Sequence, residues 1–149
     1  MEYPELVANS FRWDDWERLI AHQGVTIDRP YRSTHPEFPN IIYPLPYGYV
    51  NGTTSSDGQE VDVFVGSAES GLVGLILTKD YRRRDREMKL LYHCSPKDVY
   101  MAHGFINFDR RLMAGTLVLR YPMQDLWRTV KTAQVPVSAV ADRRGPPYL

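Results

Sequence analysis

The chain has 149 residues, 43% hydrophobic and 24% charged, which is typical of one ordinary globular domain rather than a disordered chain. Lys and Arg together number 18, as do Asp and Glu. The formal net charge is therefore zero, and neither nucleic acid nor a membrane surface is expected as a partner. The single cysteine, Cys94, excludes an internal disulfide and is compatible with a cytoplasmic protein.

The first third of the chain predicts a helix, a strand and a long loop. Residues 11–23 place Trp13, Trp16 and Ile20 at helical spacing, and a glycine follows as a stop signal. Residues 25–28 are typical of a strand. Five prolines between residues 29 and 48 exclude a helix or a central strand there, so we expect an ordered loop packed on the body of the domain.

The remaining two thirds predict strands first and helices later. Ser95 and Pro96 are typical of a helix start, as cap and first residue, and that helix should continue to about Phe108. A short helix is expected near residues 123–131. This order favours a small barrel or curled sheet with helices outside, in one domain over residues 1–140 with a loose tail over 141–149. The predicted strands are residues 60–66, 72–78, 87–94 and 115–121.

Two groups of charged residues carry most of the chemical information. Asp57 lies in an Asp-Gly turn and Asp62 early in the next strand, so their carboxylates can converge at a strand end as oxygen ligands for a hard cation. In the strand that follows, Glu87 and Lys89 share one face. The run from Arg82 to Arg86 is interpreted as a solvated hairpin tip.

Residues 43–66 resemble the soluble, magnesium-dependent inorganic pyrophosphatases. The resemblance is carried by Tyr43-Pro44-x-x-Tyr47-Gly48-Tyr49, followed by Asp57-Gly58-x-x-x-Asp62-Val63-x-Val65. It implies an α+β fold, mainly β, built as a small closed or partly closed antiparallel barrel of the OB-like kind with flanking helices. It also implies Mg²⁺ as the cofactor, with Mn²⁺ as a substitute, and a cytoplasmic enzyme that could form a homo-oligomer.

The same resemblance assigns roles to single residues. Asp57 and Asp62 correspond to catalytic metal ligands. Glu87 corresponds to the metal-ligating acid, and Lys89 to the phosphate-binding lysine, of the family's Asp-x-Lys strand. Asp80 is the best counterpart of a further metal-ligating aspartate, with Asp85 in reserve, and Tyr47 corresponds to a tyrosine that lines the site.

The chain departs from the family pattern at two places. Gln59 stands where the family has the aspartate assigned to activating the attacking water, and an amide cannot act as a general base. The family's early hairpin of charged residues has no direct counterpart. Arg29, Arg32 and His35 are the candidates to replace its phosphate contacts, since arginine binds phosphate oxygens in a bidentate manner.

These features predict a metal-dependent hydrolase of a phosphoanhydride, with inorganic pyrophosphate as the first substrate to consider and another phosphate compound as the second. One alternative is a phosphate- or nucleotide-binding module on the same fold that does not catalyse hydrolysis. Another is a barrel that binds single-stranded nucleic acid through its aromatic residues and its arginine run, which the zero net charge disfavours.

Overall fold

The computed structural model describes residues 2–55 and 58–132, and Asp57 and the proposed tail over 141–149 lie outside these ranges. The described ranges form four helices and six strands. The helices are α1 (Tyr3–Ser10), α2 (Trp13–Gln23), α3 (Pro96–Ile106) and α4 (Met123–Thr132). The strands are β1 (Val25–Arg29), β2 (Tyr47–Val50), β3 (Val61–Val65), β4 (Leu72–Asp80), β5 (Asp85–Tyr92) and β6 (Met113–Leu119).

The six strands form one mixed sheet in the order β1-β2-β3-β5-β4-β6. The expectation of a wholly antiparallel sheet is wrong at one pairing, because β3 and β5 run parallel. The hairpin formed by β4 and β5 inserts β5 beside β3 and leaves β4 one position farther out. Closure into a barrel is not shown, since β1 and β6 form the two edges of the sheet within the described ranges.

One face of the sheet packs against the two N-terminal helices. Ile20 of α2 is buried together with Leu75, Leu90 and Val118, and Trp16 packs against the same cluster. The predicted helix over 11–23 is thus confirmed with a slightly later start. Helix α1 was not predicted, because its residues carry little amphipathic signal and none of them is buried.

The other face packs against the later helices. Ile76 and Leu91 of the sheet are buried with Val99 and Ala102 of α3 and with Leu126 of α4. Helix α3 begins as predicted, with Pro96 in its first turn and Ser95 as cap. Asp98 completes a capping box, because its side chain accepts a hydrogen bond from the Ser95 amide while its own amide donates to the Ser95 hydroxyl.

Strand register determines which side chains share the α3 side of the sheet. Lys89 lies opposite Ile76, Glu87 opposite Thr78 and Asp85 opposite Asp80. Since directly opposed residues point to the same face, the acids and Lys89 continue the apolar row that packs under α3. This row leads from the core towards the turn of the β4–β5 hairpin. None of the helices in the described ranges is both long and apolar enough to cross a bilayer.

Gly48 allows β1 to approach the part of β2 that carries Tyr47. A Cβ atom at Gly48 would lie 1.8 Å from the Thr26 carbonyl oxygen, which is backbone and cannot rotate away. We expect Gly48→Ala to lower the free energy of unfolding by about 1–3 kcal/mol, measured by urea denaturation. Gly104→Ala is the matched control, because a Cβ there meets nothing within 4 Å and alanine favours the helix. Equal stability of the two variants would contradict the close approach.

Candidate functional site

A cavity of about 440 Å³ opens on the α3 side of the sheet, between the β4–β5 hairpin and the proline-rich loop. Its lining is rich in ionisable groups of both signs, with acids in the majority. The acidic residues are Asp28, Glu37, Glu60, Asp62, Asp80, Asp85, Glu87 and Asp109. The basic residues are Arg29, His35, Arg82, Arg83 and Lys89.

Tyr47, Asp62 and Lys89 form a connected group on one wall of the cavity. Strands β3 and β5 set Asp62 beside Lys89 in register, and their Oδ2 and Nζ atoms are 2.8 Å apart. The Tyr47 hydroxyl donates to the same Oδ2 at 2.7 Å and accepts from Lys89 Nζ at 2.8 Å. The lysine side chain is 9% exposed and the aspartate side chain 25% exposed. The three polar groups therefore satisfy one another in a site with little water.

Burial and charge act in opposite directions on this group. Burial alone would lower the pKa of Lys89, but stabilisation of its charged form by Tyr47 and Asp62 outweighs burial and holds that pKa above its usual value. Burial raises the pKa of Tyr47 well above that of a free phenol. Lys89 is therefore a fixed cation and Tyr47 a neutral hydroxyl over the physiological pH range.

The end of the β4–β5 hairpin places carboxylates close to one another. Asp80 lies directly opposite Asp85, and both line the cavity. Like charges in that position repel each other, and the Arg82 guanidinium, with Nη2 3.9 Å from Asp80 Oδ2, offsets part of this repulsion. The Asp80 side chain is 8% exposed, and its Oδ1 accepts hydrogen bonds from the amides of Arg82 and Arg83. These bonds hold Asp80 in place at the hairpin turn.

The described carboxylates of the cavity are the right chemical type of ligand for a divalent metal, but they are not placed closely enough to form a metal site by themselves. Within residues 2–55 and 58–132, no three histidine, cysteine or carboxylate side chains are gathered closely enough to hold a metal ion. Asp62 already bonds to Lys89 and Tyr47. Mg²⁺, however, is commonly held by one or two carboxylates together with phosphate oxygens of a substrate. The Asp80–Asp85 pair suits such a phosphate-bound Mg²⁺ better than a metal held by protein alone.

Arg29 reaches the cavity from the edge strand β1. The β1–β2 register shifts between Ile27 and Arg29, and this irregularity sets Arg29 opposite Tyr47. Such bulges commonly redirect a side chain. The Arg29 Nε atom is buried and has no hydrogen-bond partner among the described residues. A buried donor without a partner is costly, so this atom suits an anionic ligand in the cavity.

An aromatic wall lies between the cavity and the core. The Tyr43 ring stacks on Tyr47 with centroids 5.2 Å apart and contacts Phe105 at 4.8 Å, while His35 lies nearly parallel to Tyr43. Partial burial lowers the pKa of His35, so the imidazole is neutral near pH 7. Its Nδ1 accepts a hydrogen bond from the Glu37 amide. His35 therefore contributes an aromatic surface rather than a permanent charge.

Most of the site residues proposed from the sequence line this cavity. They are Arg29, His35, Tyr47, Asp62, Asp80, Glu87 and Lys89. Gln59 lines it as well. Arg32 is not among the described lining residues, and its guanidinium lies over the Tyr31 ring instead. Asp57 is outside the described ranges, so its role stays a prediction.

Arg82 and Arg83 lie in the exposed turn of the β4–β5 hairpin, as the sequence predicts, and they also line the cavity. Arg82 forms an ion pair with Glu37 at 3.3 Å and lies over the Phe38 ring, so it joins the hairpin to the proline-rich loop. The available signal was Asp80, two residues before Arg82, because an aspartate commonly bonds the amides that follow it in a turn.

Comparison with solved structures finds likenesses of low identity. An inorganic phosphatase from Anaplasma phagocytophilum is 16% identical with a TM-score of 0.49, over 73% of this chain and 91% of that chain. Inorganic pyrophosphatases from Helicobacter pylori and Thermus thermophilus are each 17% identical, with TM-scores of 0.43 and 0.41. They cover 74% and 72% of this chain, and 92% and 86% of their own. Neither a protein-family model nor a curated protein matches the chain. At these values the chain is similar to the solved structures without being shown to belong to their family.

Proposed function

We propose that the chain hydrolyses a phosphoanhydride, with inorganic pyrophosphate as the substrate and Mg²⁺ as the cofactor. The observation that carries this proposal is the meeting, in one cavity, of the Asp80–Asp85 pair and Glu87 with Lys89 and the unpartnered Nε of Arg29. Carboxylates that line the same cavity as two cationic side chains suit a polyanion that arrives with bound metal. The Tyr43–Val65 motif supports the same substrate class.

Each of these groups has a defined part in the proposed reaction. Arg29 and Lys89 neutralise outer phosphate oxygens, and the buried setting strengthens each of those contacts. Asp80, Asp85 and Glu87 would hold the Mg²⁺ that is bound to the substrate. Bound Mg²⁺ supplies charge neutralisation and lowers the pKa of a bound water molecule. Tyr47 keeps Asp62 and Lys89 in a fixed relative position.

A second candidate function is phosphate binding without hydrolysis. Two observations favour it: Gln59 lines the cavity where a general base is expected, and Asp62 is engaged by Lys89 rather than free to bind metal. Loss of a general base typically costs a factor of about 10²–10⁴ in rate. Slow hydrolysis and no hydrolysis are therefore the two outcomes to distinguish.

Phosphate release from pyrophosphate, with and without Mg²⁺, tests the proposal. We expect metal-dependent release by the unmodified chain and a loss of about 10²-fold or more in Glu87→Gln, in line with removal of one charged group from a catalytic site. Glu69→Gln is the matched control, because Glu69 is an exposed acid that does not line the cavity. Equal release by both variants would refute the role of Glu87, and pyrophosphate binding without any release would select the second candidate.

A further inference from the structure

The opposite face of the sheet carries a second concave surface, here called the groove, of about 670 Å³. Its floor is the part of β4, β5 and β6 that lies beyond the apolar residues covered by α1 and α2. Small residues of β6, Ala114 and Thr116, leave room above the sheet at this place. Aromatic and cationic side chains that line the groove include Tyr3, Lys79, Tyr81, Arg86 and Arg110.

The groove concentrates positive charge. Lys79 lies directly opposite Arg86 across β4 and β5, so two like charges share one face at close range. Arg110 adds a third cation, and Glu87 is the one acid among the described residues that line the groove.

Aromatic and apolar surface accompanies these cations. The rings of Tyr3 and Tyr81 are 66% and 46% exposed at the rim. Lys79 Nζ lies 5.3 Å from the centroid of the Tyr81 ring, so a cation and a flat ring are presented together. Leu77 and Met88, which lie opposite each other on β4 and β5, add apolar surface to the floor of the groove.

We propose that the groove binds a nucleotide, with its phosphates between Lys79, Arg86 and Arg110 and its base against the exposed tyrosine rings. Arginine and lysine recognise phosphate oxygens through charge-assisted hydrogen bonds, and aromatic side chains stack on bases. A single nucleotide fits better than a strand of nucleic acid, because the three cations converge on one groove and the chain as a whole has no net charge. The site does not depend on the proposed hydrolase, since it shares only Thr78 and Glu87 with the cavity lining.

Calorimetric titration of the full chain with ADP tests this site. We expect ADP to bind, and Lys79→Gln and Arg86→Gln each to weaken it by about tenfold or more, the loss of one hydrogen bond to a charged group. Arg84→Gln is the matched control, because Arg84 lies in the same hairpin turn and lines neither the groove nor the cavity. Adenosine and inorganic phosphate should each bind more weakly than ADP, since each retains only one half of the contacts.

Four results would overturn the proposal. They are no heat of ADP binding, equal affinity for ADP and inorganic phosphate, weakening by Arg84→Gln as large as that by Arg86→Gln, and tighter binding of a single-stranded oligonucleotide than of ADP. The cavity variant Arg29→Gln separates the two sites. Unchanged ADP affinity in this variant supports the groove, whereas loss of ADP binding in it alone would place the nucleotide in the cavity. Failure of pyrophosphate hydrolysis leaves each of these readouts intact.

Discussion

Replacing Asp62 by Asn is expected to lower the free energy of unfolding by about 3–5 kcal/mol, because it leaves the Lys89 ammonium buried without its counter-charge. Lys89→Met should cost less, since the carboxylate left behind is 25% exposed and keeps the Tyr47 hydroxyl as a donor. The double variant should be more stable than the sum of the two losses predicts, because neither charge is then left alone.

Urea denaturation of the four proteins of this double-mutant cycle measures the coupling directly. Asp15→Asn is a suitable control, because Asp15 forms ion pairs with Arg12 and Arg18 on an exposed helix face, where such pairs contribute at most about 1 kcal/mol. A coupling energy near zero between positions 62 and 89 would contradict the buried contact. In the same preparations, the folded Asp62→Asn protein is expected to release no phosphate from pyrophosphate in the presence of Mg²⁺, because Lys89 then lacks the carboxylate that holds it at the cavity wall.

Replacing Arg29 by Gln is expected to raise the dissociation constant for pyrophosphate by about 10- to 100-fold, the effect of losing hydrogen bonds between a cation and a phosphate group. The ion pair of Arg29 with the adjacent Asp28 is long, at 3.8 Å, and partly exposed, so it contributes little to stability and the variant should remain folded. Arg29→Lys should recover only part of the affinity, because lysine is a point charge without the planar, forked donor set of arginine.

Arg32→Gln is the matched control for this prediction. The two arginines are three positions apart, and the sequence proposes the same role for both, but only Arg29 lines the cavity. Calorimetric titration with methylenediphosphonate and Mg²⁺ gives the dissociation constant of a pyrophosphate analogue that cannot be hydrolysed, so turnover does not disturb the measurement. Weakening by Arg32→Gln as large as that by Arg29→Gln would show that the ligand does not occupy the cavity.

The sequence predicts most elements of the fold because their signals are local. The spacing of Trp13, Trp16 and Ile20, and the Ser95-Pro96 start of α3, are readable within a few residues. The parallel pairing of β3 with β5 is not readable in this way. It depends on which strand of the β4–β5 hairpin lies beside β3. No short sequence pattern determines whether β4 or β5 takes that position.

The candidate site shows the same division between local and long-range information. Alternation along β5 predicts that Glu87 and Lys89 share a face, and both line the cavity. The bond between Lys89 and Asp62 was not predicted, because it follows from the parallel register. The part of Arg82 in the cavity was also missed, since its partner Glu37 is 45 positions away in the chain.

Hydrolysis of pyrophosphate in ¹⁸O-labelled water, followed by ³¹P NMR, tests the central claim most directly. With Mg²⁺ we expect the pyrophosphate signal to be replaced by phosphate, and water attack on one phosphorus to place a single ¹⁸O atom in one of the two phosphates formed. The folded Asp62→Asn protein should leave pyrophosphate intact. Persistence of pyrophosphate with the unmodified chain and Mg²⁺ would contradict the hydrolase assignment, and equal turnover by Asp62→Asn would contradict the part of Asp62 in it.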